Sequence, residues 1–371
     1  MARDNNDNTM TRRGFVELGV KSLTAMALLP LFPQAAEAKA SKPEEPLKGG
    51  SAFIIGHEDF LDDTHLPENQ KINRELDTPF YTASLVKLIT VAAVLRKIDE
   101  DREAVARGDM IEGDALTMDS VLTISSRAHR RSSRRSNQEK MTVREALTMT
   151  GSFSLNDATY ALAERVGAGK PITDALTGRQ SMDYVKKFIG EHMRTLVSDL
   201  GMNNTRIYTP TGIPDYEGGG RSKLSPRNDQ STQRDFMKLM NYLVQNHEEN
   251  LDVFSKPSMY TKAEAEDGSL YTVQYKNSVP LLHNSARADA IATKGVIGGK
   301  TGFHDFSLLQ SVCIFDLSEI GGQGHMVIMS LGNDNDTYAT EPQRVKDTAV
   351  ALAKQELTLE LANEEQALLM D

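Results

Sequence analysis

Cysteine is almost absent from this chain of 371 residues, which contains one, Cys313. A single cysteine excludes an intramolecular disulfide framework. Cys313 lies in the apolar run "LLQSVCIFD", and we interpret it as a buried small hydrophobe rather than a catalytic thiol. The sequence also lacks a metal-ligand cluster, a phosphate-binding loop and a cofactor motif. We therefore expect no metal and no cofactor.

An excess of positive charge is missing as well. The formal net charge is −10, which argues against general nucleic-acid binding. Hydrophobic residues make up 39% and charged residues 25% of the chain, so a sizeable core is possible and bulk disorder is not expected. Beyond the N-terminus no run is long and apolar enough to cross a bilayer, and the acidic tail 362–371 is a poor membrane anchor.

The N-terminus has the features of an export signal. Arg12 and Arg13 precede a modestly apolar run at 18–32, and small residues that suit a signal peptidase follow it. Paired arginines before such a run are typical of the bacterial twin-arginine route. The sequence predicts a signal at 1–38, a linker at 39–50 and export to the periplasm or cell envelope.

Beyond the linker, predicted strands lie at both ends of the chain and predicted helices dominate the middle. "SLLQSVCIFDL" and "GHMVIMSLG" are β-rich runs separated by "SEIGGQG", which predicts an antiparallel hairpin. The arginine-rich stretch 125–140 is predicted to be a loop, and a last helix is predicted over 342–361. This order predicts one domain, 51–361, in which an antiparallel sheet is covered by helices and a helical lobe is inserted.

Ser84 and Lys87 lie three residues apart at the start of "SLVKLITVAAVLRKI", which has no polar face and predicts a buried helix. Residues at this spacing share a helix face. A serine hydroxyl needs a base to act as a nucleophile, and burial favours the neutral form of a lysine amine. An isolated S-x-x-K occurs often by chance, so the pair needs support from other motifs.

That support comes from two further motifs. Ser154-Leu155-Asn156 opens a predicted helix, and Lys300-Thr301-Gly302 precedes the predicted hairpin. The three motifs in this order resemble the active-site set of penicillin-binding proteins and serine β-lactamases. The flanks "TASLVKLIT", "SLNDATYALAE", "LGMNNTRIYTPTGIPD" and "STQRDFMKLM" resemble the D-alanyl-D-alanine carboxypeptidase family, the low-molecular-mass penicillin-binding proteins of peptidase family S11.

The resemblance implies an α/β fold of the α+β type, with a mainly antiparallel five-stranded sheet covered by helices. It also implies four roles around the nucleophile. Ser84 attacks the carbonyl between the last two D-alanines of a peptidoglycan stem peptide, and Lys87 accepts its proton. Ser154 relays a proton to the leaving amine, and Asn156 holds the substrate backbone and the lysine.

Substrate contacts are implied for the third motif and for one later residue. Lys300 and Thr301 face the terminal carboxylate, and Gly302 allows a close approach of the strand to the substrate. The backbone N–H groups of the serine and of Phe303 form the oxyanion hole. Arg344 is the candidate second contact for the carboxylate. β-Lactams are implied as covalent inhibitors.

Other functions use the same residues. A D,D-endopeptidase that cuts cross-links is the nearest alternative, and a non-catalytic wall-binding or antibiotic-sensing protein is another. A β-lactamase is disfavoured, because no E-x-x-L-N element for a deacylating water is evident.

Overall fold

The computed structural model describes most of the chain from residue 49 onward. The described residues are 49–130, 132, 136, 138–214, 227–256, 258–264, 270–279, 295–304, 308–333 and 340–368. The predicted signal at 1–38 and the linker as far as residue 48 lie outside them.

The described strands are β1 (Gly49–Ile54), β2 (Phe80–Tyr81), β3 (Val121–Thr123), β4 (Lys140–Thr142), β5 (Gln230–Ser231), β6 (Ser258–Glu264), β7 (Leu270–Lys276), β8 (Val296–His304), β9 (Leu308–Asp316) and β10 (His325–Asn333). The described helices are α1 (Val86–Arg107), α2 (Ser126–Arg130), α3 (Val143–Gly151), α4 (Asn156–Ala168), α5 (Gly178–Lys187), α6 (Arg194–Asp199), α7 (Gln233–His247) and α8 (Thr340–Leu368).

The central sheet is antiparallel and has the order β1-β10-β9-β8. The predicted hairpin is confirmed as β9–β10. Among the described residues this sheet has four strands, one fewer than the resemblance implies, and β8 is its edge. The pairs β2–β5, β3–β4 and β6–β7 form separate two-stranded sheets. The α/β class with a helix-covered antiparallel sheet is therefore confirmed.

Alternating side chains give the sheet two buried faces. On one face Ala52 and Cys313 pack with Val345 and Ala349 of α8. On the other, residues such as Ile314 join the large core that contains α1 and the middle helices. Burial raises the pKa of Cys313 to about 12, which confirms it as an inert core residue.

Helix α1 is buried along its first half and amphipathic only later. Residues 86–95 are all buried, and exposure begins at Arg96. The helix ends at Gly108, whose φ of 78° suits glycine. The predicted buried helix is confirmed, and it lies between the sheet and the helical region, where its first turn is held from both sides.

Thr142 followed three residues later by Glu145 predicts a capping box, and the structure confirms it at the start of helix α3. The run "LNDATYALAERVG" predicts a helix that stops at Gly167, but α4 continues to Ala168 and its C-cap is Gly169, with φ 72°. Gly167 has a packing role instead. A Cβ there would lie 2.0 Å from the carbonyl oxygen of Tyr184, so the glycine allows α4 and α5 to touch.

Both predicted domain boundaries need correction. Gly49 and Gly50 pair with β10, although glycine-rich composition had assigned them to the linker. A Cβ on Gly50 would lie 2.9 Å from Val345, so glycine is needed there for packing under α8. At the other end α8 continues to Leu368, through most of the predicted tail. Acidic composition does not end a helix.

Two predictions for the middle of the chain were incomplete. The arginine-rich segment contains the short helix α2, although composition alone indicated a loop. The amphipathic run 182–201 predicts a single helix, but the structure divides it into α5, a π-helical turn at Phe188–Met193, and α6. No helix in the described part of the chain has the length and apolarity needed to cross a membrane.

Candidate active site

Ser84 lies in a strained turn rather than in the helix itself. The turn Ala83–Leu85 is 3-10 helical and leads directly into α1. Ala83 has φ 45°, a conformation that costs an alanine about 1–2 kcal/mol. Gly212 packs against it so closely that a Cβ would lie 1.8 Å from the carbonyl oxygen of Ala83. Packing therefore holds the turn that presents the hydroxyl.

Lys87 is fully buried and lies at the centre of the predicted constellation. Its Nζ is 2.7 Å from the Oγ of Ser84 and 3.5 Å from the Oγ of Ser154. Nζ also donates to the carbonyl oxygen of Thr211 at 2.9 Å. The spacing predicted that Ser84 and Lys87 share a face, and the structure brings both serines to one amine.

The second motif occupies the turn between α3 and α4. Ser154 has φ 59°, again an unusual conformation for a residue other than glycine. Asn156 is the first residue of α4. Its Oδ1 is buried and accepts no hydrogen bond from the described residues. A buried acceptor without a partner is costly unless a ligand supplies the donor.

The third motif lies inside β8, which precedes the β9–β10 hairpin as predicted. Lys300 is fully buried, and its Nζ donates to the carbonyl oxygen of Thr301 at 2.6 Å. A Cβ on Gly302 would lie 2.6 Å from the carbonyl oxygen of Thr82 and 3.2 Å from the backbone nitrogen of Leu85. Glycine is therefore needed for the approach of β8 to the Ser84 turn, which brings two of the three motifs into direct contact.

Thr301 and α8 lie on the same side of the sheet. Thr301 on β8 pairs with Ser311 on β9, and this row of paired residues continues across β10 to Gly50 on β1. A Cβ on Gly50 would point at Val345 of α8. Arg344, the neighbour of Val345, is half-buried in the first part of α8. Its contact with a substrate carboxylate stays a prediction.

Phe303 follows the third motif on the edge strand and is 63% exposed. It pairs with Leu309 and lies two residues beyond Thr301, on the same side of the strand. An exposed phenyl ring beside the motif is an apolar surface that the sequence did not single out. The predicted use of its backbone N–H in an oxyanion hole stays a prediction.

Sequence reasoning missed the turn that receives Lys87. Pro210 and Thr211 supply backbone carbonyls to Thr90 and Lys87, and backbone acceptors have no residue-type signature. Asp229 binds the same turn through Tyr208 and Thr209. Burial raises the pKa of Asp229, against hydrogen bonds that lower it. In the sequence, this turn is indicated only by "YTPTG", in which a proline and a glycine two residues apart are typical of turns.

Known proteins resemble this chain in both sequence and fold. The model of the family described as D-alanyl-D-alanine carboxypeptidase matches residues 71–311, which include the three motifs but not Arg344. A D-alanyl-D-alanine carboxypeptidase from Streptomyces sp. strain K15 is 31% identical over 166 residues, which are 44% of this chain. That match spans 46% of the relative, so the chain aligns with about half of its length.

Solved structures support the fold. The crystal structure of the Streptomyces K15 DD-transpeptidase is 23% identical, covers 84% of this chain and 99% of its own, and has a TM-score of 0.55. Penicillin-binding protein D2 from Listeria monocytogenes, in its ampicillin-bound form, is 19% identical, covers 81% and 96%, and has a TM-score of 0.51. The family model spans well over half of the chain and the fold agrees with it, so this protein belongs to the D-alanyl-D-alanine carboxypeptidase family.

Proposed function

We propose that this protein is a serine D-alanyl-D-alanine carboxypeptidase that removes the terminal D-alanine from peptidoglycan stem peptides through an acyl-enzyme on Ser84. One observation carries the proposal: the buried Nζ of Lys87 lies within hydrogen-bonding distance of both Ser84 and Ser154. This geometry gives a nucleophile, a base and a proton relay in one contact group. Family membership supports the same activity.

In the proposed acylation, Lys87 accepts the hydroxyl proton of Ser84 while Oγ attacks the scissile carbonyl. This step needs the neutral amine, and burial disfavours the charged form. The backbone N–H groups of Ser84 and Phe303 stabilise the oxyanion. When the tetrahedral intermediate collapses, the proton passes through Ser154 to the leaving D-alanine amine. Water then cleaves the ester and restores the serine.

Substrate binding is proposed along the edge strand β8. The buried Oδ1 of Asn156, which has no hydrogen-bond partner among the described residues, is available to accept an N–H from the peptide. Lys300, Thr301 and Arg344 are proposed to read the terminal carboxylate through charge-assisted hydrogen bonds.

β-Lactams are proposed as inhibitors that acylate the same serine. A relative with this fold is known in an ampicillin-bound form. The test is intact-mass and peptide-mapping spectrometry after exposure to labelled penicillin. We expect a stoichiometric adduct on the peptide that contains Ser84 and none in Ser84→Ala, while the exposed control Ser126→Ala is labelled like the wild type. An adduct on Ser154, or no adduct on folded wild-type protein, would contradict the mechanism.

A transfer reaction is the second candidate, because the relatives from strain K15 are named both carboxypeptidase and DD-transpeptidase. Hydrolysis of a D-Ala-D-Ala pentapeptide with and without an amine acceptor separates the two reactions. Cross-linked muropeptide in a parallel assay tests D,D-endopeptidase activity. Labelling without turnover of any of these substrates would favour an antibiotic-sensing protein.

Export to the cell envelope is proposed from the paired arginines and from the cell-wall substrate. Residues 1–38 are the proposed signal and residues up to 48 the linker. Replacing Arg12 and Arg13 with lysine is expected to leave precursor in the cytoplasm. Unchanged export of that variant, measured by fractionation, would show that the pair is not used.

A further inference from the structure

Asp229 is a buried carboxylate next to the Ser84–Lys87 pair that belongs to none of the three motifs. Its Oδ1 accepts the backbone N–H groups of Tyr208 at 2.6 Å and of Thr209 at 3.0 Å. Its Oδ2 accepts the hydroxyl of Thr209 at 2.7 Å. Both oxygens therefore bind one turn, residues 208–212, which we name the carbonyl turn.

The carbonyl turn is closed by the same hydroxyl. Thr209 Oγ1 accepts the N–H of Gly212 at 2.8 Å while it donates to Asp229. The turn so closed presents the carbonyl of Thr211 to Lys87 at 2.9 Å and the carbonyl of Pro210 to Thr90. Two side chains of α1, one turn apart, are thus fixed by carbonyls that this network orients.

The backbone of Asp229 reaches the other side of the nucleophile. Its carbonyl accepts the N–H of Thr82 at 3.1 Å, two residues before Ser84. A proton on Lys87 would lower the pKa of Asp229, against the burial that raises it, so the amine lies close enough to the carboxylate for the two to interact. One residue therefore connects the strand that leads into the nucleophile turn with the acceptor that holds the base.

We propose that Asp229 is a positioning residue for acylation, which through Thr209 fixes the Thr211 carbonyl and so keeps the Nζ of Lys87 within hydrogen-bonding distance of the Ser84 hydroxyl. This inference rests on the proposed function, because it assigns a role in the acylation of that serine. It requires that the side chain of Asp229 touch neither the substrate nor the reacting atoms.

The chain offers a matched control in a second buried carboxylate of the same design. Asp235 Oδ2 accepts the N–H of Asn204 at 2.8 Å and the hydroxyl of Thr205 at 2.9 Å, and it holds a different turn. Asp229→Asn and Thr209→Val interrupt the network at the site, and Thr209→Ser keeps it. Asp235→Asn and Thr205→Val interrupt the control network.

The experiment measures the acylation rate constant and the non-covalent dissociation constant for a fluorescent β-lactam, with thermal unfolding for each variant. We expect Asp229→Asn and Thr209→Val to acylate on the order of 10- to 100-fold more slowly, because a small misplacement of a reacting group has effects of this size. The dissociation constant is expected to change by less than about 3-fold, and Thr209→Ser to acylate like the wild type. The control variants are expected to lose stability alone.

Among the variants that interrupt the network, Thr209→Val is the decisive one, because valine is close to threonine in size and lacks only the hydroxyl. Wild-type rates in folded Thr209→Val, or equal slowing in Thr205→Val, would overturn the positioning role. A wild-type protein that no β-lactam labels would overturn the proposed function instead, so the two failures are distinguishable.

Discussion

Adding a single methyl group at Gly212 should slow acylation strongly. In Gly212→Ala the new Cβ would lie 1.8 Å from the oxygen and 2.2 Å from the carbon of the Ala83 carbonyl, whereas real Cβ contacts stay beyond 3.0 Å. Backbone atoms cannot swing aside, so the Ser84 turn must shift by about 1 Å relative to Lys87. A shift of about this size costs on the order of 100-fold in rate.

The backbone strain of an alanine at position 212 must be separated from the effect of the displaced Ser84 turn. Gly212 has φ 72°, and alanine in this region costs about 1–2 kcal/mol. Gly108→Ala is the matched control, because Gly108 has φ 78° and no atom within 4 Å of its would-be Cβ. Gly108→Ala should lose only this strain energy in urea unfolding, and Gly212→Ala should lose more because of the backbone clash. Only Gly212→Ala should lose acylation in stopped-flow labelling. A folded Gly212→Ala protein that acylates at the wild-type rate would refute this reasoning.

Two further predictions concern the carboxylate contacts and a buried acid. Arg344→Ala should mainly slow turnover of substrates with a free carboxylate and spare amidated or ester analogues, whereas Lys300→Ala should slow both; equal losses in Arg344→Ala would make the arginine structural. Burial raises the pKa of Glu164 above its ordinary value of 4.5, so the folded protein favours the protonated carboxyl. The free energy of unfolding therefore falls as pH rises from about 4.5 through the folded pKa. Glu164→Gln should therefore remove part of the fall in unfolding free energy as pH rises above 4.5, and an unchanged slope in urea titrations would contradict this.

The parts of the site that sequence alone predicts are those in which side-chain identity carries the chemistry. Ser84 and Lys87 could be predicted because their motif occurs together with Ser154-Leu155-Asn156 and Lys300-Thr301-Gly302, and all three are recognised by their side chains. The strained φ of Ala83 and the carbonyl of Thr211 could not be found in this way, since neither depends on a distinctive side chain. They are set by contacts with Gly212 and with a turn far along the chain.

Glycine shows the same limit in the fold. Gly50 and Gly167 were interpreted as a linker residue and a helix stop, the local roles that composition favours. Each is instead a site of close packing, against Val345 and against Tyr184. Local pattern identifies where glycine occurs, but only the partner element shows whether it bends the chain or admits a neighbour.

The amine of Lys87 joins distant parts of the chain, because Ser154 and Thr211 are 67 and 124 residues away from it in sequence. An unfolded or partly folded chain lacks these contacts of Lys87, even though Ser84 and Lys87 remain neighbours in sequence. Labelling by a β-lactam would therefore count native molecules, one adduct for each correctly assembled chain. The same reagent that inhibits the enzyme could follow its refolding in time, and it would report completion of the tertiary structure rather than formation of helix α1.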